Sequence, residues 1–322
     1  NSMQERFIVN LRKILEQGEE RALLISATGT GKTYASAFAM RELGFKRVLF
    51  LVHRVTLAKQ AKKSFEKVFD KKVTMGLVGA GFYEYEKDYV FATVETLNRD
   101  THLFQYQPNA FDCIILDEAH HSSNNIYTKV INYFNPKLFL GMTATPDKRD
   151  DNQEGKNIYE IFHYQIAHEI RLQQAMEDNL LCPFHYFGIS EVVSLDDKTL
   201  QAAKLTDEFN QLTSDERVRH VIEQSEYYGY SGDRVRGLIF CSRVKECEEL
   251  SRKFNALGYR TIALSGADNE EKRQEAFERL AMDEADATEE MQPLDYIFSR
   301  DILNEGVDIV EVNQVIMLRP TQ

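Results

Sequence analysis

Apolar residues fall along this chain in two rhythms. Runs of four or five, unbroken at residues 22–25, 48–52 and 113–116 and opened by Lys137 at 137–141, have the length of buried strands. Between them apolar positions recur at helical spacing: residues 4–17 put Phe7, Ile8, Leu11, Ile14 and Leu15 on one face, residues 34–43 follow the same period, and a helix begins near Val55. Further on, the pattern predicts an amphipathic helix over 164–181 ending at Leu180-Leu181, a strand starting at Pro183 in PFHYFGI, and a charged helical segment over about 196–230. Residues 236–266 then read as strand, helix, strand at a βαβ period.

Length and composition narrow the class. At 322 residues the chain is too long for one ordinary core, so two domains are expected. With 43% hydrophobic and 28% charged residues it reads as a globular chain. No apolar run approaches the roughly 18 residues that span a bilayer, and no signal-peptide pattern opens it, which points to the cytoplasm. Met3 stands behind Asn1-Ser2, which reads as an expression scar. The four cysteines, Cys113, Cys182, Cys241 and Cys247, lack C-x-x-C spacing and are expected to be reduced, buried and structural. The eight histidines show no metal-ligand spacing, so no zinc site is expected. A net charge of −12 disfavours a surface that grips nucleic acid everywhere and leaves room for a local cleft.

The strongest chemical signal lies between the first strand and the helix after it. SATGTGKT, residues 26–33, follows the phosphate-loop pattern except that Ser26 replaces the first glycine. Gly29 and Gly31 let successive backbone N–H groups turn inward, and the helix adds its positive end, so Thr28, Gly29, Thr30 and Gly31 cradle a polyphosphate mainly by main chain. Lys32 would reach the β- and γ-phosphates, and the Thr33 hydroxyl is the natural Mg²⁺ ligand. Gln4 is a candidate for reading the edge of adenine, with a solvent-facing glutamine as the alternative.

A second signal closes the apolar run 113–116, where Asp117 and Glu118 arrive together. Two carboxylates beside a core are costly without a cation. Asp117 is suited to hold Mg²⁺ through water, and Glu118 to orient and deprotonate an attacking water. The similar string Asp283-Glu284-Ala285-Asp286 follows a helical pattern in an acidic stretch and reads as a solvated loop. Residues 137–141 end in MTATP, whose Thr143 and Thr145 either bridge the carboxylates to a neighbouring element or simply end a strand. His53 and Arg54 follow the strand 48–52, with Arg54 suited to a nucleic-acid phosphate or to a plain capping role. Thr93 and Thr96 open a helical segment, where hydroxyls suit a phosphate backbone and equally an N-cap. The aromatic run Tyr227, Tyr228 and Tyr230 is expected to pack on a neighbouring core more than to stack on bases.

SATGTGKT, LVHRVTLAKQ, FATVETL, LDEAHH and GMTATP follow in the order and spacing of motifs I, Ia, Ib, II and III of superfamily 2 helicases. The chain most resembles the branch of DEAD/DEAH-box helicases like the type III restriction enzyme R-subunit. The resemblance implies an α/β chain of two RecA-like domains with mainly parallel sheets, at 1–182 and 183–322, with ATP and Mg²⁺ at their interface and a nucleic-acid strand crossing both. It assigns Ser242 and Arg243 to motif IV, as backbone contacts or as an ordinary helix start. It assigns Gly306 and Asp308 to motif V, where Asp308 would accept from ribose hydroxyls, and Arg300 stands where the family commonly has Thr. A motif VI run of the type Q-x-x-G-R-x-G-R does not occur, so the 322 residues are expected to be a fragment that binds ATP and hydrolyses it poorly.

Function then reads as an ATP-dependent helicase or translocase core on nucleic acid, DNA favoured over RNA by the resemblance, within a larger restriction or repair enzyme. A nucleic-acid-binding module with a vestigial ATPase is the alternative. A switch NTPase would want a guanine-reading N-K-x-D motif, which is absent.

Overall fold

The computed structural model describes residues 2–70, 73–121, 125–146, 157–189, 210–300, 302 and 309–319. These divide into two compact units, Asn1–His185 and Tyr186–Gln322. No helix among the described residues is long and apolar enough to cross a membrane.

The first unit runs α1 (Ser2–Glu16), β1 (Arg21–Ser26), α2 (Lys32–Glu42), β2 (Val48–Val52), α3 (Val55–Glu66), β3 (Met75–Gly79), β4 (Phe82–Tyr83), β5 (Tyr89–Thr93), α4 (Val94–Leu97), α5 (Asp100–Leu103), β6 (Cys113–Asp117), α6 (Asn125–Tyr133), β7 (Leu138–Thr143), α7 (Ile158–Ile161), β8 (Ile166–Ile170) and α8 (Leu172–Glu177). Its eight strands form one sheet in the order β4-β3-β5-β2-β6-β7-β1-β8. Every pair is parallel except the β3–β4 hairpin. The central strands are apolar throughout because both faces are covered. Leu24, Phe50, Ile115 and Leu140 join one core with Phe7 and Leu11 of α1 and Phe65 of α3. Leu23, Leu49, Ile114 and Phe139 join the other with Tyr127 and Val130 of α6. Phe65 meets Phe50 and Phe91 edge-on at 5.5 and 5.3 Å between ring centres.

At the amino edge of this sheet Asp112 gathers three segments. Its carboxylate accepts from the backbone N–H groups of Lys46 and Arg47, both at 3.0 Å, and pairs with Lys137 at 2.9 Å. The starts of β2, β6 and β7 are thereby tied at one point.

The second unit runs α9 (Asp215–Tyr228), β9 (Gly237–Phe240), α10 (Val244–Ala256), β10 (Thr261–Leu264), α11 (Glu270–Ala281), β11 (Tyr296–Ser299) and β12 (Gln314–Met317). Its sheet is parallel, in the order β10-β11-β9-β12. Ile239, Phe254 and Phe298 centre one side and Leu264, Leu280 and Ile297 the other.

Several expectations are corrected. Residues 164–181 are not one helix: Ile166–Ile170 is a strand that pairs with β1, and a short helix follows at Leu172–Glu177. PFHYFGI forms no strand: residues 182–189 take no regular structure, with Phe184, Tyr186 and Phe187 58%, 78% and 48% exposed. Of the expected helical segment 196–230, residues 196–209 lie outside the described residues and Asp215–Tyr228 is helix. The tyrosines at its end do not enter the core; Tyr227 is 79% exposed, and Tyr228 stacks on Phe187 at 4.1 Å. Cys182 is exposed, while Cys113, Cys241 and Cys247 are buried.

The acidic stretch near Asp283 is more than a solvated loop. Asp283 pairs with Arg236 at 2.5 Å, and Glu284 and Asp295 with Arg260 at 2.5 and 2.7 Å. The buried Arg234 donates to the carbonyls of Leu280, Met282 and Leu294 at 2.7, 2.5 and 2.7 Å, closing the carboxyl end of α11.

Candidate functional site

In the first unit parallel register brings separate stretches of sequence to one edge. Leu24 and Asp117 both lie opposite Met142, and Ile25 lies opposite Thr143, so β1, β7 and β6 end side by side. Val52 lies opposite Thr93, and Leu51 opposite Leu116, so β5 and β2 end at the same level. Carboxyl ends of open parallel sheets are where such folds receive ligands.

The loop after β1 turns on two glycines in left-handed conformation, Gly29 at φ 83° and Gly31 at φ 86°. Gly31 is the N-cap of α2 and offers no side-chain cap, so the first-turn N–H groups of α2 point into the loop without one. A Cβ on Gly29 would come within 2.9 Å of Leu181 Cδ2, so the loop is also packed from behind. The departure at Ser26 has a structural use. Its buried hydroxyl lies 2.5 Å from Thr30 Oγ1, which itself donates to the Ala27 carbonyl at 2.7 Å. Thr30 Oγ1 has given its proton to Ala27, so Ser26 is the donor. Thr28 is exposed, and Thr33 is half-buried in the first turn of α2.

Lys32 Nζ donates to the Ser26 carbonyl at 3.0 Å, which folds the side chain back across the loop. Burial pushes its ammonium below the ordinary value, against the pull of the Asp117 and Glu118 charges. Asp117 is pushed up to about 6, first by burial and then by Glu118. Burial also raises Glu118, but the His120 hydrogen bond and the charges of Lys32, His120 and His53 outweigh it and hold the group below its usual range. Adjacent carboxylates thus have their affinities for protons driven apart.

Glu118 also sits at φ 50°, a left-handed conformation that costs a non-glycine residue on the order of 1 kcal/mol or more. Its N–H donates to Asp117 Oδ1 at 3.1 Å. His120 Nδ1 lies 3.3 Å from Glu118 Oε2 and 3.1 Å from Thr143 Oγ1. The hydroxyl of Thr143, at the end of β7, therefore reaches the carboxylates through His120, and it also accepts from the Thr145 N–H at 3.1 Å. Sequence reasoning left His120 aside as a structural histidine; its place in the LDEAHH string is the signal that marks it.

The remaining candidates divide. Arg54 is exposed at the N-cap of α3 and His53 is half-buried beside it. Thr93 is buried and caps α4, its hydroxyl accepting from the Thr96 N–H at 3.2 Å and lying 2.8 Å from Thr96 Oγ1. The Thr96 side chain packs against Gly79 so closely that no Cβ fits there. Gln4 lies in the first turn of α1, which packs against α2 and β8. In the second unit Ser242 and Arg243 follow β9, and the Ser242 N–H donates at 2.9 Å to Glu246, a fully buried carboxylate that Arg217 neutralises at 2.9 Å. Gly306 and Asp308 lie outside the described residues.

Among these groups, a cradle of left-handed glycines, a buried lysine and an acid pair whose Asp117 is held up by burial fit a magnesium-bound nucleoside triphosphate.

Comparison with known proteins gives the chain its family. Residues 1–148 match the family described as type III restriction enzyme, res subunit, and residues 217–322 match the helicase conserved C-terminal domain. The chain is 24% identical to the putative ATP-dependent helicase IRC3 of Saccharomyces cerevisiae, over 96% of its own length and 45% of the relative. It is 26% identical to the type I restriction enzyme EcoAI endonuclease subunit of Escherichia coli, over 74% of its own length and 32% of the relative. It thus spans less than half the length of these relatives. Among solved structures it is similar to the ATP-dependent Type ISP restriction-modification enzyme LlaBIII bound to DNA, with a TM-score of 0.67 and 19% identity over 100% of this chain and 26% of that one. It is also similar to the Pyrococcus furiosus Hef helicase domain, with a TM-score of 0.56 and 14% identity over 97% and 89% of the two chains. The chain belongs to the superfamily 2 helicases, with a first half of the type III restriction subunit kind and the helicase C-terminal domain after it.

Proposed function

We propose that this chain is the motor core of an ATP-dependent helicase or translocase that acts on nucleic acid, DNA in preference to RNA, as part of a larger restriction or repair enzyme. Residues 1–182 are assigned to the nucleotide-binding domain and 183–322 to the C-terminal domain, with hydrolysis coupled to their closure.

One observation carries the reading: the order of strand ends along the first sheet. The candidates for nucleotide chemistry follow β6, β7 and β1, and the candidates for strand contact follow β5 and β2, so the two sets share an edge without overlapping. Lys32 and the N–H groups of residues 29–33 hold the phosphates, and Thr33 and Asp117 hold the metal. Glu118, kept ionised by His120 and Lys32, accepts the proton of the attacking water. ATP with Mg²⁺ supplies the phosphoanhydride whose cleavage drives the cycle. Arg54, His53, Thr93 and Thr96 in the first unit, and Ser242 and Arg243 in the second, contact the strand. Gly306 and Asp308 complete the nucleotide contacts.

The preference for DNA is supported by the restriction-enzyme relatives and by the DNA named with LlaBIII. Its test is the rate of ATP hydrolysis against single- and double-stranded DNA and RNA. Stimulation is expected to be strongest with DNA. Equal or greater stimulation by RNA would contradict the preference, and a rate indifferent to every nucleic acid would contradict the motor.

A further inference from the structure

The outermost strand of the first sheet consists of two water-facing aromatic residues. Phe82 is 37% and Tyr83 65% exposed. Exposed rings on an edge strand are a liability that folds ordinarily blunt. These two are instead held in place. Gly79 lies opposite Phe82 and Val78 opposite Tyr83, and Ala80 and Gly81 turn the hairpin at φ 51° and 88°.

Neighbouring side chains on a strand point to opposite faces, and each ring here has its own support. On one face Lys59 Nζ lies 5.4 Å from the centre of the Phe82 ring. Lys59, Lys63 and Lys67 follow one another along the exposed side of α3 and its end, which concentrates positive charge on a chain of net charge −12. On the other face the Tyr83 ring lies at 4° to the His102 imidazole, with centres 6.1 Å apart. His102 Nδ1 is in turn 2.6 Å from the Tyr85 hydroxyl. The Tyr83 ring thus lies parallel to a neighbour whose own position is held by Tyr85, and it stays 65% exposed and open to a further ring.

Position along the sheet indicates what the rings would meet. Val78 lies opposite Ala92, one residue before Thr93, so the hairpin turn is level with the end of β5, and Thr93 is level with Val52 of β2. The side chain of Thr96 packs against Gly79 itself. Arg54, Thr96, the turn and the two rings thus form one row on the side of the sheet away from the phosphate loop. We propose that the β3–β4 hairpin is a base-stacking platform for single-stranded nucleic acid, on which Tyr83 stacks against one base while Phe82 and Lys59 take a neighbouring base and its phosphate.

The inference rests on the nucleic-acid reading above, and the test separates the two. Binding of a fluorescein-labelled oligodeoxythymidine to the full chain is followed by anisotropy across a salt series, beside binding of a fluorescent ATP analogue. Tyr83→Ala is expected to weaken oligonucleotide binding roughly tenfold. Tyr83→Phe keeps the ring and is expected to bind as the unaltered chain does. Lys59→Ala is expected to flatten the dependence of log affinity on log salt by about 0.7. ATP affinity stays unchanged in all three. An unaltered chain that binds the oligonucleotide while Tyr83→Ala binds equally well overturns the platform alone, and so does full binding by Tyr83→Leu. An unaltered chain that binds no oligonucleotide overturns the nucleic-acid reading and the platform with it.

Discussion

At the scale of single residues, Ser26 is the most instructive. Where a glycine would leave the start of the phosphate loop free to flex, the Ser26 hydroxyl donates to Thr30, and Thr30 donates to the Ala27 carbonyl, so two side chains close the turn from inside. Ser26→Gly is expected to cost about 1 kcal/mol of stability, the ordinary worth of such a bond, together with the rigidity of the loop. Thermal unfolding and binding of a fluorescent ATP analogue check it, and a variant equal to the parent in both would remove the role given to this hydroxyl. The string of the loop and the acid pair were legible in the sequence because backbone geometry and strand context impose them locally. The uses of Ser26 and His120 were not. His120 meets Thr143 across 23 residues of chain, a partner that only the register of β6 against β7 supplies.

Elements show the same division. Runs buried on both faces, such as 48–52 and 113–116, identify themselves because nothing polar interrupts them. Edge elements do not. Ile166–Ile170 is interrupted by the adjacent polar pair His168 and Glu169, and the apolar pair Leu180-Leu181 extended that spacing into an apparent helix. PFHYFGI has the composition of a strand, but composition does not say whether a neighbouring edge is there to receive it. Asp112 ties elements together in a way that pH exposes. Burial raises its carboxyl, but the Lys137 bond and the N–H groups of Arg47 and Lys46 outweigh it and hold the group below the ordinary carboxylate value. A depressed group contributes stability that is fully present above its unfolded value and is lost as pH falls through its folded value. Asp112→Asn is therefore expected to be less stable than the parent at neutral pH, with the gap closing in acid. Denaturant melts at several pH values measure it; a gap constant with pH would show that the charge is not what ties β2, β6 and β7.

Across the whole molecule, two mainly parallel sheets each bring distant stretches of sequence to one carboxyl edge. In the first unit that edge holds the phosphate loop, the acid pair and the row leading to the β3–β4 hairpin. In the second it holds Ser242 and Arg243, while arginines at the opposite edge anchor the acidic stretch. Acidic composition overall is thus compatible with a local path for an anionic strand. The central claim is that Glu118 performs the chemistry while the loop does the holding. It is tested most directly by following Glu118→Gln beside the unaltered chain, in single-turnover phosphate release and in ATP binding, with single-stranded DNA present. Phosphate release is expected to fall at least ~100-fold, the ordinary worth of a general base, with ATP affinity little changed. Release at the unaltered rate would contradict the account.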